Sequence, residues 1–144
     1  MTIIEQLRHG VTTDSAEQTR ALAQSLALAL PSEVTLALHG DMGVGKTTFV
    51  QGLAHGLGVT GRVNSPTFAI FSVHHGIQSS LIHLDAYRLE NEQQIEALLL
   101  DDFLISPYCL AVEWPEKIAA WLPVNTWHFV LSIEDGDRHR VLLR

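Results

Sequence analysis

Residues 40 to 48 read Gly-Asp-Met-Gly-Val-Gly-Lys-Thr-Thr and match G-x-x-x-x-G-K-[S/T] at every fixed position. Each fixed residue type has a physical reason. Glycine lets the backbone adopt positive φ and approach an anion closely, so that consecutive N–H groups point inward at phosphate oxygens. Lys46 offers a cation to the β and γ phosphates, Thr47 offers a hydroxyl to Mg²⁺, and the helix beginning here turns its positive end toward the same phosphates. At ordinary residue frequencies a chain of this length matches the pattern by chance on the order of once in two hundred. The flanks narrow the choice. Val34 to His39 is an apolar, β-prone run, and Phe49, Val50, Leu53, Ala54 and Leu57 follow the loop at helical spacing. Strand, glycine loop and helix form the context that distinguishes a phosphate-binding loop from a glycine turn carrying a solvated lysine. Asp41, Met42, Gly43, Val44, Gly45, Lys46, Thr47 and Thr48 are therefore the expected phosphate-binding segment.

Around this unit the chain reads as an α/β fold: one P-loop NTPase domain over residues 1–144, with a largely parallel central sheet, flanking helices and antiparallel hairpin additions. Thr2 to Ile4 is a short β-prone piece followed by a polar connector. Asp14 or Ser15 caps a helix running to Leu30, with Leu22, Leu26 and Leu30 on one face and Pro31 as its stop. Beyond the polar turn at 62–67, Phe68 to His74 and Ser80 to Tyr87 read as a hairpin turning at Gly76. Glu90 to Leu104 has helical spacing, and Tyr108 to Glu113 is a buried strand. Pro115 opens a helix through Trp121, and Thr126 to Ile133 with Arg138 to Leu143 make a closing hairpin.

Composition limits the partners. With 47% hydrophobic and 17% charged residues the chain is that of a folded globule. A net charge of -7, with only Lys46 and Lys117 as lysines, argues against a broad nucleic-acid face, so any contact with nucleic acid is expected to be local or through a partner. Cys109, the one cysteine, excludes an intrachain disulfide, fits a cytoplasmic setting and reads as a small buried hydrophobe. The apolar stretch Ala21 to Leu30 lacks a basic leader and is too short to cross a bilayer, so no membrane partner is expected.

A phosphate loop binds nucleotide; turnover also needs carboxylates. Asp85 and Glu113 each close an apolar run, and in an open parallel sheet ligands bind beyond the carboxyl ends of the strands. An acid in that place also serves as a helix cap or a solvated turn. His83, Asp85 and Tyr87 share one face if extended, and His83 reads equally as a hydrogen-bonded core histidine or a site residue. Ser65 and Thr67, held by Pro66, are hydroxyls positioned to sense a γ phosphate.

Four blocks, Gly40 to Phe49, Ser65-Pro-Thr-Phe68, His83-Leu-Asp-Ala-Tyr-Arg-Leu89 and Glu113-Trp-Pro115, stand in the order and spacing that resemble the bacterial TsaE (YjeE) family. That family is the ATPase component of tRNA threonylcarbamoyladenosine biosynthesis. The resemblance implies ATP and Mg²⁺ as cofactors and TsaB- and TsaD-like proteins as partners. It implies a catalytic set of Lys46, Asp85 and Glu113: Lys46 on the phosphates, Thr47 and Glu113 as metal ligands, and Asp85 as a Walker B-like acid. Thr67 belongs by the same pattern to a switch-like, nucleotide-contacting segment. Two departures are visible. Residues 96–103 lack a glycine expected before the acidic-aromatic pair, and the tail is short. The alternatives are a P-loop kinase for a small metabolite, for which no lid-sized insertion follows Glu90, and a nucleotide-dependent binding switch with incidental turnover. Thr19 is a candidate for the base pocket.

Overall fold

The structure, a computed structural model, describes residues 1–66 and 70–144. Thr67 and the expected strand start at Phe68 lie outside the described residues. The strands are β1 (Val11–Thr13), β2 (Glu33–His39), β3 (Phe71–His75), β4 (Ser80–Asp85), β5 (Tyr108–Glu113), β6 (Trp127–Ile133) and β7 (His139–Leu143). They form one sheet in the order β1-β7-β6-β2-β5-β4-β3. The four middle strands β6, β2, β5 and β4 are parallel to one another. Antiparallel pairings add β7 and β1 at one edge and β3 at the other. This is the expected largely parallel α/β sheet with hairpin additions.

Strand residues alternate between two faces, and each face has its own apolar cluster. On one, Leu36, Leu38, Leu81 and Ala111 pack with Leu7, Leu26, Phe49 and Leu53 of the helices α1 (Ile3–His9), α2 (Ala16–Ala27) and α3 (Lys46–Gly56). On the other, Ile82, Leu84, Leu110 and Val112 pack with Ile95 and Ile118, Ile95 belonging to the short helix α4 (Glu92–Glu96). By the same alternation His83, Asp85 and Glu113 lie on the face that carries α3. Helices α2 and α3 touch closely enough that a Cβ at Gly52 would run into the Arg20 carbonyl oxygen, which only glycine avoids.

Several expected elements differ. The β-prone start is the helix α1 instead. Thr2 accepts from the Glu5 amide at 3.1 Å and Glu5 reaches back to the Thr2 amide at 3.4 Å, a capping box that outweighs the local preference of Ile3 and Ile4. Part of the expected connector, Val11–Thr13, is the edge strand β1. Helix α2 does start at its Ser15 cap but ends at Ala27, three residues before Leu30. The strand expected over Ser80 to Tyr87 ends at Asp85. The long helix expected over 90–104 is only α4 and a 3₁₀ turn, Leu100–Asp102. Leu99 lies between them at φ 55, ψ 42, and a right-handed helix cannot continue through that conformation. Similarly, Pro115 opens only a 3₁₀ turn, Pro115–Ile118.

Leu99 stands in the segment where a glycine was expected, in the backbone conformation glycine tolerates best, and its side chain is 64% exposed. Leu99→Gly therefore removes a left-handed penalty of about 1–2 kcal/mol and loses little burial, against about 0.5–1 kcal/mol of extra chain entropy. The expected outcome is a net gain of a few tenths to about 1 kcal/mol, read as a higher urea midpoint at unchanged slope.

Candidate functional site

The chain leaves β2 at His39 and turns at Gly40, whose φ is 150. A side chain there would meet the Leu131 carbonyl oxygen of β6 at 2.5 Å and Val44 Cγ2 at 2.7 Å, so glycine is what lets the loop rest on the sheet end. Gly43 and Gly45 follow at φ 80 and 99. Among the described residues no side chain caps α3, so the amides of its first turn remain for whatever enters the loop. The loop is pinned from below by Val44, whose buried side chain joins the core and whose carbonyl accepts a 2.9 Å hydrogen bond from His139 Nδ1. His139 escaped the sequence reading because it lies 95 residues away on the last strand, with no local pattern to mark it.

A cavity of about 380 Å³ opens over the loop. Met42, Gly43, Gly45, Lys46, Thr47 and Thr48 line one side, and Ser65, Asp85, Glu113 and Trp114 close the other. The site residues expected from sequence thus converge from four separate segments. Asp41 and Val44 do not line the cavity: Asp41 is exposed, and the Val44 side chain is buried in the core. Thr67 is outside the described residues. Thr19 is buried, with its hydroxyl 2.6 Å from that of Thr13, and is not among the residues lining this cavity. A larger cavity of about 670 Å³ at the far end of α3, with Arg20, His55 and Arg62 on its wall, carries no carboxylate.

Inside the cavity Lys46, Thr47, Asp85 and Glu113 each already hold a contact within the protein. Lys46 is 5% exposed. Its Nζ donates to the Gly40 carbonyl at 2.6 Å and sits 3.8 Å from the centre of the Trp114 ring. Burial pushes its pKa down, while Glu113, Glu116, Asp85 and Asp41 act in the opposite direction. Thr47 Oγ1 and Ser65 Oγ are 2.6 Å apart. Asp85 turns one oxygen back to accept the Tyr87 amide at 3.0 Å, so it both closes its strand and lines the cavity. Glu113 is 4% exposed and accepts at Oε2 from Nε2 of the fully buried His83. His83 is thus a core histidine whose hydrogen bond leads into the site. Trp114, at φ 57, sets its ring at a tilt of 55° against that of Tyr87, the centroids 5.1 Å apart.

The donor set suits Mg²⁺. Two carboxylates and a hydroxyl are hard oxygen ligands, and Mg²⁺ takes few protein ligands while keeping waters and phosphate oxygens. Cys109 is no part of it: burial pushes its thiol up to about 12, which leaves it an inert core residue. No helix among the described residues is long and apolar enough to cross a membrane.

Residues 13–141 match the family model described as threonylcarbamoyl adenosine biosynthesis protein TsaE. The tRNA threonylcarbamoyladenosine biosynthesis protein TsaE of Bacillus subtilis is 39% identical over 130 residues, 90% of this chain and 80% of that one. Its counterpart in Treponema pallidum is 33% identical over 125 residues, 86% of this chain and 92% of the relative. The crystal structure of Bacillus subtilis YdiB superposes with a TM-score of 0.77 at 33% identity, covering 93% of this chain and 82% of that one. A family match over most of the sequence, with relatives aligned over most of their own length, establishes that the chain belongs to the TsaE family.

Proposed function

We propose that the protein binds and hydrolyses Mg-ATP as an accessory component of tRNA threonylcarbamoyladenosine formation, working with TsaB- and TsaD-like partners. The observation that carries this reading is the meeting of Lys46, Thr47, Asp85 and Glu113 in one cavity over a glycine loop whose helix amides are uncapped. In this reading the loop amides and Lys46 hold the β and γ phosphates, with Lys46 exchanging its bond to the Gly40 carbonyl for a phosphate oxygen. Thr47 and Glu113 would hold Mg²⁺, which when bound neutralises charge on the phosphates. Asp85, with one oxygen on the Tyr87 amide, keeps the other for orienting water. The names of the relatives support the tRNA-modification setting.

The same contacts support a slow enzyme in isolation. Lys46 is held by Gly40 and Trp114, and Thr47 by Ser65 on the segment that leads to Thr67. A partner docking against that segment would release Thr47 and align the attacking water, and positioning is the main lever in phosphoryl transfer. The acidic balance leaves tRNA to the partners.

Lys46→Ala is expected to lower phosphate release by about 10²–10³-fold, measured by steady-state assay, while circular dichroism shows the fold retained. Near-normal turnover by the folded variant would remove the loop from the mechanism. Phosphate release is also expected to be low for the protein alone and to rise in the mixture with TsaB- and TsaD-like proteins, and a tRNA titration at near-physiological salt should show no tight binding by the protein alone. Equal turnover alone and in the mixture, or tight tRNA binding without partners, would overturn the accessory reading.

A further inference from the structure

His83 occupies the middle of β4 between Ile82 and Leu84, with zero exposure, in a sheet position where an aliphatic side chain would pack without any polar group to satisfy. Its register partners are Ala111 on β5 and Ser72 on β3. Glu113 is two residues beyond Ala111 on the same face of the neighbouring strand, and the imidazole reaches it diagonally, with Nε2 2.5 Å from Oε2. The other ring nitrogen, Nδ1, has no hydrogen-bond partner among the described residues. All the polar contact the ring makes there is therefore directed at Glu113.

That contact settles how the carboxylate can be used. Glu113 is almost wholly buried, and one of its oxygens is taken by an N–H donor. The remaining oxygen, Oε1, is the one left to the cavity that Glu113 lines. The bond also restrains rotation of the carboxylate plane, which a buried glutamate at a strand end otherwise lacks.

We propose that His83 is a positioning residue: it holds Glu113 by Oε2 so that the carboxylate presents a single oxygen, Oε1, to Mg²⁺ or to a water on it. This rests on the metal-ligand role of Glu113 proposed above. A histidine behind a ligating carboxylate is the kind of outer-shell contact that orients the ligand without touching the ion. His83 then acts on the metal step and leaves nucleotide recognition by the loop unchanged.

The test separates metal affinity from nucleotide affinity in the full chain. Calorimetry with a non-hydrolysable ATP analogue, first in chelator and then titrated with Mg²⁺, is expected to give unchanged metal-free nucleotide affinity for His83→Leu, with Mg²⁺ bound about 10- to 100-fold more weakly. His83→Gln, whose amide N–H reaches about as far as Nε2, restores Mg²⁺ binding. His83→Asn, whose nitrogen falls near the Nδ1 position and short of Glu113, does not. If His83→Leu fails to fold, the contrast between Gln and Asn decides, and equal Mg²⁺ affinity in these two overturns the proposal. Glu113→Gln separates the two levels of the argument. Unchanged Mg²⁺ affinity in Glu113→Gln removes the metal role of Glu113 and this inference with it. Weakened affinity there beside normal affinity in His83→Leu removes the role of His83 alone.

Discussion

The parallel pairing of β2 with β5, and of β5 with β4, is the contact on which the site depends. Leu38 lies opposite Glu113, and Glu113 opposite Asp85, so three strands end level with one another. The chain leaving β2 must turn within that level, and it does so as the glycine loop. The carboxylates are brought to the loop by sheet register, which explains how residues 85 and 113 share a cavity with residue 46. A one-residue slip of β5 would send Glu113 to the opposite face and leave the loop with an apolar neighbour.

Lys46 shows the electrostatic tension inside the site. Removing an ammonium from water disfavours its charged form, and here that effect is opposed by nearby carboxylates, by the Gly40 carbonyl and by the face of Trp114. Trp114, followed by Pro115, holds its place at positive φ with its ring packed at a tilt against Tyr87. A non-glycine residue in that conformation persists only where its surroundings over-determine it. Here the ring lies against the Lys46 ammonium.

The segment after β4 shows local patterning overruled. Ile95, Leu98, Leu99 and Phe103 have helical spacing, yet the right-handed helix ends by Leu99, and the chain folds back so that Ile95 and Leu100 both enter the core on the second face. Burying both residues against Ile82, Leu84 and Val112 outweighs continuing one helix along the surface. At the N-terminus the reverse holds. There the purely local capping box of Thr2 and Glu5 was present in the sequence and was masked by two β-branched residues.

By itself the sequence determined the glycine loop with its strand and helix, the buried β5, the closing hairpin and the resemblance to the TsaE family. All of these rest on short-range chemistry: backbone freedom at glycine, alternation along strands and motif spacing. It also marked Asp85 and Glu113 as strand-closing acids, because a carboxylate ending an apolar run is visible without coordinates. Only the tertiary structure decided what those residues touch. The Glu113 oxygen bound by His83, the Lys46 ammonium set between Gly40 and Trp114, and the Val44 carbonyl held by His139 join positions separated along the chain by as much as 95 residues. Sheet register and loop curvature bring them together, and local patterning carries no signal for contacts made across that distance.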